Sequence, residues 1–123
     1  MRKLIFIPVL AAVACGPTVS QSPEKQAVAN DIHQRIMNAW PAYSANNGIK
    51  VLAACFRWED GQAAQVSGLT SYYFETGVPS RTRPVSDLRL SALGDCQKNA
   101  DTSKGPCTCQ IADENGRNAI LVP

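Results

Sequence analysis

Apolar residues recur every four positions from Val28 through Ile32 and Ile36 to Trp40, with Ala29 and Met37 beside them. That period predicts an amphipathic helix with one buried stripe. Its start is marked by Ser22 as N-cap, Pro23 at the first helical position and Glu24 at the positive end of the helix. Pro41 then ends or kinks it. "SANNGIK" reads as a turn with Asn47-Gly48 at its tip. "IKVLAACFRW", 49–58, is almost wholly apolar and bounded by Asn-Gly and Glu-Asp-Gly, which predicts a strand in the middle of a sheet. Gly61 allows a tight turn into "QAAQVSG", a weaker antiparallel strand, and "LTSYYFE" suits a third by its aromatic and Thr content.

After an irregular stretch "TGVPSRTRP", a second helix is expected to start near Ser86. Leu88, Ala92 and Cys96 are spaced by four, so Cys96 should face the core. "CTCQIA" and "RNAILV" read as two short strands across "DENG", because Asn-Gly between apolar alternations signals a hairpin. The fold class is therefore α+β: an N-terminal amphipathic helix, a small antiparallel sheet, and a second helix tied to a C-terminal hairpin. No internal repeat or low-complexity tract is present.

The first residues change where this domain should be placed. Arg2 and Lys3 precede an uncharged, mostly apolar run from Leu4 to Ala14. The run is too short to span a membrane, which takes about 20 residues. A short apolar run behind two cations and ending in small residues has the form of a secretory signal peptide. Ala12-Val13-Ala14 followed by Cys15 resembles the lipobox of bacterial lipoproteins, with Ala12 where Leu is usual. The resemblance implies cleavage before Cys15 and lipidation of its thiol. Several acyl chains hold a protein at a bilayer where one holds weakly, since each buried methylene contributes about 0.8 kcal/mol. In proteins with this signal an Asp after the cysteine favours inner-membrane retention, so Gly16 implies the outer membrane. The rival reading is ordinary cleavage at the A-x-A site. The expected division is a signal peptide over 1–14, a lipidated cysteine and Gly/Pro/Ser/Thr-rich linker over 15–22, and one domain over 23–123.

Losing Arg2 and Lys3 takes the net charge from +2 to about zero, so no basic face for nucleic acid is implied. Five cysteines are an odd number, and exported proteins usually pair theirs. Assigning Cys15 to lipid leaves Cys55, Cys96, Cys107 and Cys109 for two bridges. Cys107 and Cys109 point to one strand face with Ile111 and are poor partners for each other. The preferred pairing is Cys96–Cys107, stapling helix to strand, with Cys55–Cys109; the swapped pairing, Cys55–Cys107 with Cys96–Cys109, is its rival. Each bridge would contribute about 2–4 kcal/mol. "ALGDC" followed by "GPCTCQIADENG" also resembles a pattern in small exported bacterial domains of unknown function. That resemblance implies a helix-to-strand bridge and adds weight to Cys96–Cys107.

Catalytic patterns are sparse. His33 is the only histidine and lies beside the apolar stripe, with nothing in sequence to orient it. Glu59-Asp60 and Asp113-Glu114 sit in turns, where solvation is expected. There is no nucleophile elbow or phosphate loop, "DENG" is too short for a calcium loop, and no cofactor is implied. Cys107-x-Cys109 with Cys55 and Cys96 could be a soft metal or thiol-redox site, but the spacing is not that of structural zinc. No metal is therefore assigned. Tyr72, Tyr73 and Phe74, with Arg81 and Arg83 across the loop, are the residue types enriched at binding hot spots. The expected function is a non-catalytic binding or accessory module of a bacterial envelope. It would be held to the membrane by its lipid and would recognise another envelope protein. The alternatives are a periplasmic metal or thiol-redox protein, and an inhibitor or immunity-type protein.

Overall fold

The computed structural model describes residues 21–73 and 85–123. The leader, Cys15, most of the linker, the "TGVPSRTRP" loop, Phe74, Arg81 and Arg83 lie outside the described residues. The architecture is α+β. Helix α1 (Pro23–Ala39) leads into the short α2 (Pro41–Ser44). A four-stranded antiparallel sheet follows, built from β1 (Lys50–Glu59), β2 (Gln62–Tyr73), β3 (Thr108–Glu114) and β4 (Arg117–Asn118). Its order is β2-β1-β3-β4, with α3 (Val85–Asn99) inserted between β2 and β3 in sequence.

Sequence explains both long helices. The Ser22 hydroxyl accepts the Lys25 N–H at 3.3 Å, and Pro23 takes the position where no amide proton is needed. Ala29, Ile32 and Ile36 are buried, while Val28, Met37 and Trp40 flank the same core. Pro41 ends α1 by opening α2, which sinks Tyr43 into the interior. In α3 the buried residues are Leu88, Ala92 and Cys96, and the helix continues through Gly94 to Asn99.

β1 is central, and it is buried from Lys50 to Phe56. Alternation along it separates two cores. Leu52, Ala54 and Phe56 pack with α1 and with Ile120 and Val122 of the C-terminal segment. Val51, Ala53 and Cys55 pack with α3. Two helices thus cover opposite faces of one sheet. Both hairpins turn on two residues with positive φ, Asp60-Gly61 and Asn115-Gly116, as the twist of paired strands requires.

The outer strand departs from the sequence reading. "QAAQVSG" and "LTSYYFE" are not two strands; residues 62–73 form one strand along β1. Gly68 supplies a bulge rather than a turn, for Cys55 pairs Ser67 while Ala53 pairs Thr70. Its φ is +63°, and a Cβ there would lie 2.7 Å from the Cys96 carbonyl oxygen. A glycine at this point lets the last turn of α3 rest on the sheet.

"RNAILV" also departs, pairing as a strand only over Arg117–Asn118. The following backbone is held by side chains instead. The Gln110 carboxamide donates to the Leu121 carbonyl and accepts its N–H. Gln21 in the same way donates to Ile120 O and accepts from Val122 N. These bonds satisfy the main chain while Ile120 and Val122 enter the core.

The disulfides correct the preferred pairing. They are Cys55–Cys107, with Cα atoms 5.5 Å apart, and Cys96–Cys109, at 6.2 Å. Cys55 and Cys109 stand directly opposite in the ladder, but they are not bonded to each other. The close approach of α3 at Gly68 sets Cys96 over the sheet, where it joins Cys109 of the inner strand. Cys107 precedes β3, outside the ladder, and joins Cys55 diagonally. A staple from helix to strand is satisfied by either cysteine of Cys107-x-Cys109, and the seat of the helix decides which. Helix α3 is still tied to the C-terminal strand region, now through Cys109.

Candidate functional site

One end of the sheet collects the polar chemistry. The α2–β1 turn, the start of β1, the β3–β4 turn and the end of β2 meet there. Behind it lies Asp113, fully buried rather than solvated as the turn reading expects. Period-two alternation would put Asp113 on the α3 side with Cys109 and Ile111. A register shift between Leu52 and Ala53 adds one residue to β3, so Asp113 pairs Leu52 and turns to the α1 side.

Three groups satisfy that carboxylate. The Tyr43 hydroxyl donates to Oδ2 at 2.5 Å and the Gly116 N–H to the same oxygen at 2.9 Å. His33 Nε2 lies 2.6 Å from Oδ1. One buried group therefore fastens α1, α2 and the β3–β4 hairpin together. Burial pushes the Tyr43 phenol well above its ordinary range, with the bond to Asp113 and its charge acting in the same direction. Tyr43 keeps its proton and serves as a donor. Among the described residues His33 hydrogen-bonds only Asp113, so the trio is an anchor with no nucleophile attached.

Lys50 is the second buried charge. Its ammonium donates to the Tyr43 carbonyl at 2.8 Å and the Ser44 carbonyl at 3.0 Å, and stands 4.7 Å from the centre of the Tyr43 ring. It caps the last carbonyls of α2 and fixes the turn that follows. Its N–H donates to Asn115 Oδ1 at 3.0 Å, and its carbonyl accepts from Asn115 N at 2.9 Å. Asn46 Oδ1 accepts the Gly48 N–H at 2.8 Å. Arg89 of α3 grips Glu114 at the end of β3 through Nε at 2.6 Å and Nη2 at 2.8 Å. That grip holds the Glu114 carboxyl below its usual range.

These braces enclose an open cavity of about 440 Å³, lined chiefly by Asn46, Asn47, Gly48, Lys50, Asn115 and Gly116. Ile49, which also lines it, is 43% exposed, and Tyr73, the cross-strand partner of Lys50 on the neighbouring strand, is 51% exposed.

The structure separates the residues that sequence singles out for partner binding. The bulge at Gly68 sends Tyr72 to the α3 side, where it packs on that core and donates its hydroxyl to Asp95. Tyr73 faces solvent, and Phe74, Arg81 and Arg83 lie outside the described residues. Sequence reasoning misses Lys50, Asn46 and Asn115, which read as strand edge and turn residues. The signal available was two Asn-Gly pairs, Asn47-Gly48 and Asn115-Gly116, in the turns that meet at this end of the sheet. All four domain cysteines are in disulfides, so none is presented as a thiolate for a metal. No group of three or more metal-ligating side chains occurs among the described residues. Among the same residues no helix is long and apolar enough to cross a membrane. Two disulfides fit an oxidising, extracytoplasmic compartment. No protein-family model, curated protein or solved structure matches this chain.

Proposed function

We propose that the chain is a lipid-anchored, non-catalytic binding module of a bacterial envelope, and that it engages a protein partner with the sheet end carrying Tyr73 and Ile49. One observation carries the reading. Two large apolar side chains are exposed at this end of the sheet, Ile49 (43%) lining a polar cavity and Tyr73 (51%) across the ladder from Lys50, on a scaffold fixed by buried ion and hydrogen-bond anchors. Rigid aromatic anchors beside satisfied polar groups are what binding hot spots are made of. The lipobox-like leader supports the anchor, and the two bridges support the compartment.

The test has two parts. Intact mass of protein extracted from membranes should show acyl chains on Cys15 and four hydrogens missing from the other cysteines. A photo-crosslinking residue at Tyr73 should capture one defined envelope protein, and the same residue at exposed Leu90 on α3 should not. An unmodified Cys15 would refute the anchor. Equal capture at both positions would refute the assignment of the surface.

A further inference from the structure

We propose that the cavity beside Tyr73 is a carboxylate-binding site for a terminal carboxylate carrying an apolar substituent. The inference rests on the reading of this sheet end as the binding surface. It is carried by the orientation of the amides. Asn46 Oδ1 is occupied by the Gly48 N–H, and Asn115 Oδ1 by the Lys50 N–H. A backbone N–H can only meet a carbonyl oxygen, so each carboxamide turns its oxygen to the protein and its NH2 group away. Among the described residues neither NH2 group has a hydrogen-bond partner. The exposed Asn47 carboxamide, next to Asn46, has none among the described residues either. The lining therefore presents donors whose matching acceptors are already engaged by the main chain.

Charge gives the ligand its sign and its size. Among the described residues Lys50 is the only charged one lining the cavity, and no carboxylate lines it. Two of the three ammonium protons go to carbonyls, and the buried Asp113 lies behind Gly116. One partly engaged cation with neutral amide donors suits a monoanion better than a phosphate dianion. Half-exposed Ile49, in the lining, and Tyr73, across the ladder from Lys50, give an adjoining apolar substituent a place to rest. The ligand class is thus the carboxylate of an apolar organic acid or of a peptide ending in an apolar residue.

The experiment is a ¹⁵N NMR titration of the full chain, with its bridges intact. The probes are N-acetyl-leucine, N-acetyl-leucinamide, and Gly-Gly-Leu with a free or amidated C-terminus. Both free carboxylates should shift the side-chain NH2 signals of Asn46 and Asn115 and the Gly48 and Gly116 amides. The amidated forms should leave them in place. Tighter binding of Gly-Gly-Leu would identify a peptide terminus as the source; equal binding would identify any terminal carboxylate. Asn115→Asp and Asn47→Asp replace a donor with a repelling charge at nearly unchanged shape and should each weaken binding at least tenfold. Gln34→Glu on exposed α1 surface, with the same charge change, should not. The Asn47 side chain makes no hydrogen bond among the described residues, so its variant remains informative if Asn115→Asp disturbs the hairpin. Equal shifts from acid and amide, or none from either, would overturn the site. Should that occur while Tyr73 still captures its partner, the binding surface stands and the carboxylate inference alone fails.

Discussion

Asp113→Ala removes the acceptor that joins α1, α2 and the β3–β4 hairpin. The Tyr43 hydroxyl is then left in a residue only 3% exposed, with no partner. Stranding such a group costs about 1–3 kcal/mol, and the lost bonds to a charged acceptor about 1.5–3 kcal/mol more. The desolvation that a buried carboxylate suffers is relieved at the same time, which offsets part of the loss. The expected net destabilisation is about 3 kcal/mol, or roughly 15 °C in Tm for a domain of this size. Tyr43→Phe alone should cost about 1–2 kcal/mol. Because the two changes remove the same bond, the double variant should fall short of their sum by about 1–2 kcal/mol. Urea unfolding of the four proteins, followed by circular dichroism with disulfides intact, measures the cycle. A loss below about 1 kcal/mol for Asp113→Ala, or strict additivity, would refute the anchor.

Four further outcomes are expected. Tyr43 has its phenol raised by burial, so its protonated form favours the fold; that contribution is whole below the unfolded value of about 10 and is lost as pH rises above it. Alkaline melting curves should show a fall above about pH 10 that is reduced in Tyr43→Phe. Glu114 shows the opposite sign: its carboxyl is lowered, so its contribution holds above about pH 4.3 and fades as pH falls through the folded value. Arg89→Ala should remove that acid-side slope at a cost of under about 1 kcal/mol, since the pair is partly exposed. Gly68→Ala combines a positive φ with a 2.7 Å approach to a backbone oxygen, and thermal melts should show a loss of about 2–4 kcal/mol. Stepwise reduction, alkylation and fragment mass spectrometry should recover Cys55–Cys107 and Cys96–Cys109. Chain-entropy arguments give those bridges about 4 and about 3 kcal/mol for loops of 52 and 13 residues, so replacing either pair with Ala should lower stability by up to that amount.

What local chemistry controls was legible in the sequence. The four-residue stripe and the Ser22-Pro23 cap define α1, the apolar run over 49–58 defines the central strand, and Asn115-Gly116 defines a hairpin. Each depends only on periodicity or on which residues tolerate a given φ. The α+β class and the facing of Cys96 follow from the same rules.

Tertiary structure decided the rest, through two added residues and one close contact. The bulge at Gly68 lets the two expected strands run as one and sets which of Tyr72 and Tyr73 faces α3. The extra residue in β3 turns Asp113 from one core to the other. The seat of α3 on Gly68 gives Cys96 to Cys109 rather than to Cys107. A strand has a period of two, so one inserted residue moves every side chain beyond it to the opposite face. Whether a residue is inserted depends on how neighbouring strands and the helix above them pack, which no run of a few residues encodes.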